Sequence, residues 1–313
     1  MRYDYRSGFA VHIRDMLEQR EILGYGTAEH RKKLGGFDRF CIANFPNETI
    51  LTGTLVFAWC NEAKGNGGML RASVMRGFGR YLSSIGQDAY ILPTSFFPHR
   101  KARLPHIFTD DELKNFFGAT DRYPSCGHSP LLEYTVPVIF RLQYACGMRP
   151  QEVRLLRRID FDFNAGTIYI SEGKHNKDRK LAVDANVMEL CRKYNRIAEV
   201  TAPGRAFFFQ SPSGAAYQGD WLTDLFHKCW EMSGNGDVCG ICTPYAFRHN
   251  YATRILMRWI EEGKDIDAMI PYLSAYMGHE TFSSTYYYLQ LLPERLARMG
   301  FISTGGVIPE VTL

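Results

Sequence analysis

No stretch of this 313-residue sequence approaches the ~18 consecutive apolar residues that a membrane-spanning helix needs. Runs such as Thr54 to Cys60 stop far short, so no membrane association is expected. The start, MRYDYRSGFA, is polar and charged and lacks the apolar core of a secretory leader, so export is not expected. The eight cysteines, at 41, 60, 126, 146, 191, 229, 239 and 242, are therefore read as free thiols of a reducing compartment. Cys239 and Cys242 have zinc-ligand spacing, and Cys126 with His128 could add ligands. No second close cysteine pair accompanies them, so no metal is expected. There is no internal repeat, no low-complexity tract and no carboxylate cluster with ligand-like spacing.

The remaining composition, 45% hydrophobic with 14% aromatic, is that of a folded chain, and its length suggests two domains. The net charge of +4 is small but uneven. Residues 1–100 carry 13 Lys and Arg against 9 Asp and Glu, while the rest carry 24 of each. Such an imbalance hints at a polyanion-binding N-terminal part, although a solvated face reads the same way.

Apolar spacing predicts amphipathic helices over residues 3–22 and 28–44, separated by Gly24-Tyr25-Gly26, and further helices from Thr52 and from Arg71. Arg71, Arg76 and Arg80 would share the outer surface of the last. This helical domain is placed at residues 1–91. A proline-containing basic linker follows at 92–105, with Arg100, Lys101 and Arg103 available to a phosphate backbone. The second domain, 106–313, starts at a capping box, Thr109 with Glu112. Helices are predicted at 134–148, from 151, and at 185–197, 219–232, 244–259 and 265–277. Strands are predicted at 167–170 and 180–183 around a polar loop, and at 207–209. The fold class is mainly α with a small β element.

Four segments of the second domain concentrate polar chemistry. In Cys146-Gly-Met-Arg149-Pro-Gln-Glu152, an arginine stands just before a helix start, although a surface Arg–Glu pair would look the same. The loop Gly173 to Arg179 offers Lys174, in a place where charge is common simply because tips are exposed. Thr243-Pro244-Tyr245-Ala246-Phe247-Arg248-His249 reads as a helix start capped by Thr243, a favourable place for an anion. Gly278-His279 leads to Tyr286, Tyr287 and Tyr288, a triplet that also suits aromatic packing.

Together these segments resemble the tyrosine recombinase (phage integrase) family. Arg, Lys, Tyr/His-x-x-Arg, Gly-His and Tyr occur in order, with Tyr288 nine positions after His279. The resemblance implies an N-terminal core-binding domain and a mixed α/β catalytic domain, forming a C-shaped clamp on duplex DNA. It implies a catalytic set of Arg149, Lys174, Arg248, His279 and Tyr288, with Glu152 supporting Arg149. Tyr288 would attack a phosphodiester to give a 3′-phosphotyrosyl intermediate, with Lys174 protonating the departing 5′ oxygen and no cofactor. Where the family usually has His, this chain has Tyr245, a phenol that can donate to phosphate but accepts protons poorly. His249 is a partial substitute, expected to point ~100° away from Arg248. Four protomers in a synapse, a mobile-element substrate and a cytoplasmic, nucleoid-associated location follow from the same resemblance. So does a tail, with Leu291, Leu292, Phe301, Ile302, Val307 and Ile308, that docks on a neighbouring protomer or on its own domain. The alternatives are a DNA-binding accessory protein that no longer cleaves, and a type IB topoisomerase-like enzyme.

Overall fold

Buried aromatic side chains spaced three and four apart decide which face of each helix turns inward. The computed structural model describes residues 3–63, 67–96, 104–171, 178–237 and 242–292, and the chain divides into two units, 1–101 and 102–313. In the first unit, α1 (Ala10–Ile22), α2 (Ala28–Asn44), α3 (Gly53–Asn61) and α4 (Gly67–Ser84) surround one core. Phe9 follows the segment leading into α1, Phe37 comes from α2 and Phe78 from α4. Their rings meet at 5.5–6.2 Å, in the tilted and edge-on arrangements that aromatic quadrupoles favour. The Thr52 hydroxyl caps α3 by accepting from the Leu55 N–H.

The helix predicted from residue 3 begins only at Ala10. The reason is Asp38, buried on α2, whose carboxylate accepts from the backbone N–H groups of Arg6 and Ser7 and from the Ser7 hydroxyl. Those bonds hold the segment before α1 out of the helical ladder.

The capping box read at Thr109 is present in the second unit. Thr109 and Glu112 form a reciprocal capping box ahead of α5 (Asp110–Asp121). Next comes α6 (Leu132–Cys146), whose Val136, Ile139, Phe140 and Gln143 recur at helical spacing and are buried. The short α7 (Pro150–Leu155) follows. β1 (Phe161–Asp162), β2 (Thr167–Ile170) and β3 (Arg179–Ala182) make an antiparallel sheet in the order β1-β2-β3, with Ile168 opposite Leu181 and both inward. Then come α8 (Ala185–Thr201), α9 (Trp221–Ser233), α10 (Tyr245–Glu261), α11 (Ile266–Met277) and α12 (Ser283–Tyr286), which runs into a 3-10 turn over Tyr287–Leu291. The molecule is thus mainly helical with one small sheet. Among the described residues no helix is long and apolar enough to cross a membrane.

The core of this unit joins Phe116 of α5, Phe140 of α6, Phe226 of α9 and Phe247 of α10. A smaller cluster links α10, α11 and the final turn through Leu256, Leu273, Tyr288 and Leu291. Two local expectations fail. Phe207–Phe209 is not a strand: Phe207 makes a single bridge to Arg157, and the Phe208 N–H goes to the Leu156 carbonyl. Its apolar run marks burial of Phe208 and Phe209, and among the described residues the pairing stops at that isolated bridge. At α10 the side chain of Thr243 caps nothing; Pro244 is the residue at the boundary, and the Thr243 carbonyl accepts from Ala246 N–H. Leu291 and Leu292 are buried, whereas Phe301, Ile302, Val307 and Ile308 lie outside the described residues.

Replacing Asp38 by Ala leaves two half-buried N–H groups and the Ser7 hydroxyl without their acceptor, so the Asp38→Ala variant should lose about 1–2 kcal/mol in urea unfolding. Asp38→Asn, which keeps an acceptor, should recover part of that loss. A wild-type midpoint for Asp38→Ala would overturn the account of how α1 begins.

Candidate active site

Three helices of the second unit, α6, α9 and α11, end in left-handed glycines, and the turns after α6 and α11 each deliver a polar side chain to the same place. α6 ends at Gly147, φ 59°, where a Cβ would come within 2.5 Å of the Tyr251 ring; two residues on stands Arg149. α11 ends at Gly278, φ 65°, where a Cβ would meet the Arg179 guanidinium at 2.9 Å; His279 follows. Only glycine suits either position. The third contributor, Arg248, reaches in from the second turn of α10, held in place where Gln143 of α6 donates to the Pro244 carbonyl.

The arginines are fixed crosswise by these turns. Arg248 Nη1 donates to the Gly147 carbonyl at 2.8 Å, and Arg149 Nη2 donates to the Gly278 carbonyl at 2.7 Å. Arg248 Nη2 also donates to the Met277 carbonyl and to His279 Nε2 at 3.0 Å. The Arg248 side chain is fully buried, and its Nε has no hydrogen-bond partner. An arginine so enclosed is tolerated only beside compensating acceptors.

The nearest negative charge is Glu152. One of its oxygens accepts from Arg149 Nη1 at 2.6 Å and the other from the Arg149 backbone N–H at 2.9 Å. Arg179, at the start of β3, forks onto both oxygens at 3.0 and 2.8 Å and gives its Nε–H to the Tyr276 carbonyl. Burial alone would raise the Glu152 pKa, but the hydrogen bond and charge of Arg179, with those of Arg149, bring it down to about 2. Three guanidiniums and one carboxylate leave the cluster with two uncompensated positive charges, which suits it to an anion such as a phosphodiester.

His279 is pushed down to about 4 by burial and by Arg248, and is neutral near pH 7. A guanidinium only donates, so His279 Nε2 accepts from Arg248. Its proton then sits on Nδ1, which meets Thr285 Oγ1 at 2.7 Å. Tyr288 is buried beside this ring at 5.8 Å, and burial, partly opposed by Arg248, pushes its pKa up to about 12. Tyr286 is exposed and donates to Asp267, while Tyr287 packs against His249. Tyr288 is therefore the one of the three that shares the buried arginine cluster. It also lines a roughly 370 Å³ pocket with Arg149, Tyr245, His249 and His279.

Seven of the residues picked out in sequence thus converge: Arg149, Glu152, Tyr245, Arg248, His249, His279 and Tyr288. His249 does not turn away from the site as expected; its ring lies 5.2 Å from that of Tyr245 and 5.5 Å from that of Tyr288. Lys174 and Cys239 lie outside the described residues, as do Arg100, Lys101 and Arg103. Arg71, in the first unit, is engaged locally: it stacks 3.5 Å over Trp59 and pairs with Glu62. Arg76 donates to the Pro93 carbonyl, and Arg80 is exposed. Sequence reasoning missed Arg179 and Thr285. Arg179 was counted with an exposed loop tip, and only its place at the start of a strand set it apart.

The model of the phage integrase family matches residues 107–295. The y4rB protein of Sinorhizobium fredii, which carries the name integrase/recombinase, is 26% identical over 307 residues, spanning 92% of this chain and 94% of its own. Tyrosine recombinase XerC of Anoxybacillus flavithermus is 24% identical over 234 residues, 72% of this chain and 71% of its own. Among solved structures, XerH site-specific recombinase bound to palindromic difH substrate shares the fold with a TM-score of 0.64 at 17% identity, covering 92% of this chain and 83% of that one. The Tn1549 transposon integrase in complex with transposon right end DNA does so with a TM-score of 0.62 at 14% identity, over 92% of this chain and 99% of that one.

Because the folded-state pKa of Glu152 is depressed from 4.5 to about 2, its contribution to stability is present above pH 4.5 and lost as pH falls towards 2. Glu152→Gln should be destabilised by about 3 kcal/mol at pH 7. The gap to wild type should close by pH 2 in a series of urea titrations. A gap independent of pH would refute the shared-carboxylate arrangement.

Proposed function

The chain belongs to the phage integrase family and is a tyrosine-type site-specific DNA recombinase, and from that premise we propose that Tyr288 is its nucleophile and that it acts through a 3′-phosphotyrosyl intermediate. The observation that supports this most is the burial of the Tyr288 ring against the Arg248–His279 pair, in a pocket that Arg149 also lines. In this reading Arg149 and Arg248 hold the non-bridging oxygens of the scissile phosphate, where negative charge builds as the phenol attacks. Glu152 and Arg179 keep Arg149 in position. His279, its Nε2 occupied by Arg248, steers that guanidinium, and Thr285 fixes its tautomer. Lys174 takes the part the family resemblance gives it, proton donor to the departing 5′ oxygen.

Attack joins Tyr288 Oη to phosphorus and breaks the bond to the 5′ oxygen. The phosphodiester's energy is kept in the covalent link, so a second 5′ hydroxyl can reseal the strand. The partner is double-stranded DNA, and the proposal extends to four protomers in a synapse and to a site on a mobile element. The basic excess of residues 1–100 supports phosphate contact by the first unit. A DNA-binding protein that no longer cleaves is the rival reading, and Tyr245 at the first position of the Tyr-x-x-Arg box is its only support.

A pool of nicked duplexes tiled from DNA flanking the gene tests this directly. Wild type and Tyr286→Phe should both yield a detergent-resistant protein–DNA adduct, and Tyr288→Phe should yield at least about 10³-fold less. An adduct that survives Tyr288→Phe would rule out this nucleophile. No adduct from any variant would favour the non-cleaving reading.

A further inference from the structure

A phenol whose pKa is pushed up to about 12 does not attack phosphorus unaided near neutrality; something must take its proton. The pocket around Tyr288 holds few groups able to do so, and of these the Glu280 carboxylate is exposed to solvent. Arg149 and Arg248 only donate. Tyr245 is itself a phenol. His279 has both ring nitrogens engaged, Nε2 accepting from Arg248 and Nδ1 meeting Thr285. Its lone pair is therefore already used.

His249 is different. It stands four residues after Tyr245 on α10, hence on the same face, and lines the pocket with its ring 5.5 Å from that of Tyr288. Its Nδ1 is buried with no hydrogen-bond partner. An unpaired, buried nitrogen in a ring that packs on the ring of the nucleophile is an arrangement that folding alone does not favour.

Resting on the assignment of Tyr288 as nucleophile, we propose that His249 is the general base of strand cleavage, accepting the Tyr288 phenol proton as Oη bonds to phosphorus. The departing 5′ oxygen takes its own proton from a separate acid. In the rejoining step the incoming 5′ hydroxyl gives its proton back to that acid as its oxygen bonds to phosphorus, and the imidazolium returns its proton to Tyr288 as the phosphotyrosyl bond breaks, so the cycle is balanced. Burial and Arg248 hold the His249 pKa near 4, so the ring is neutral and able to accept throughout the neutral range. The ionisable groups around it are Tyr245 and Arg248 on its own helix, Tyr287 and Tyr288 on the final turn, and Arg149, His279 and Glu280 across the pocket.

The experiment follows single-turnover adduct formation on the nicked duplex recovered from the flanking-DNA pool, after unfolding curves confirm that each variant is folded. Wild type should show a rate flat between pH 6 and 8. His249→Asn should bind the duplex as wild type does, form adduct about 10²-fold more slowly at pH 7, and gain rate as pH rises. Added imidazole should restore part of the rate to His249→Gly. A duplex with sulfur in place of the bridging 5′ oxygen removes the need to protonate the leaving group, so it should leave His249→Asn slow. Full rescue by that sulfur would make His249 an acid to the leaving group and overturn the proposal, as would a wild-type rate for His249→Asn. No adduct from wild type on the pool would instead overturn the assignment of Tyr288, and with it this one.

Discussion

Placing three guanidiniums in one partly closed wall is an electrostatic problem that the surrounding fold has to solve. Each must find acceptors inside the protein, because burial removes the water that would otherwise serve. Glu152 answers for two of them and main-chain carbonyls for much of the rest. That demand explains several features that look unrelated one at a time. Glu152 stands on the first turn of α7, where its carboxylate also accepts from the backbone of Arg149. Left-handed glycines end α6 and α11 because their turns must present carbonyls inward at close range. The start of β3 lies against α11, where Arg179 ties the sheet to the site.

Sequence could show most of the elements because apolar spacing and caps are local signals. The capping box at Thr109, the inward face of α6 and the β2–β3 hairpin were readable for that reason. Where a distant group overrides local preference, the reading failed. Residues 3–9 have helical spacing, but a carboxylate some thirty positions away takes the N–H groups of Arg6 and Ser7. Phe207–Phe209 has the composition of a strand, yet among the described residues it makes only one isolated bridge, to Arg157.

The site shows the same division. The spacing of Gly278-His279 to Tyr288 selected one tyrosine from three, and that tyrosine is the buried one. Arg179 was not legible because its partner Glu152 is 27 residues away and nothing local joins them. The rule of 100° per residue turned His249 away from Arg248, but it fixes where side chains leave the helix, not where they end. The long Arg248 side chain ends buried on the Gly147 and Met277 carbonyls, while the shorter His249 imidazole lines the pocket.

The crosswise hydrogen bonds from Arg248 to Gly147 and from Arg149 to Gly278 have an evolutionary consequence. Their acceptors are peptide oxygens, which no point mutation removes, so these two bonds constrain no side chain beyond the arginines themselves and the glycines that shape the turns. Such a centre presents a small mutational target inside a large, permissive scaffold. Substitution elsewhere in the scaffold leaves these two peptide acceptors in place, whatever the identity between two such chains.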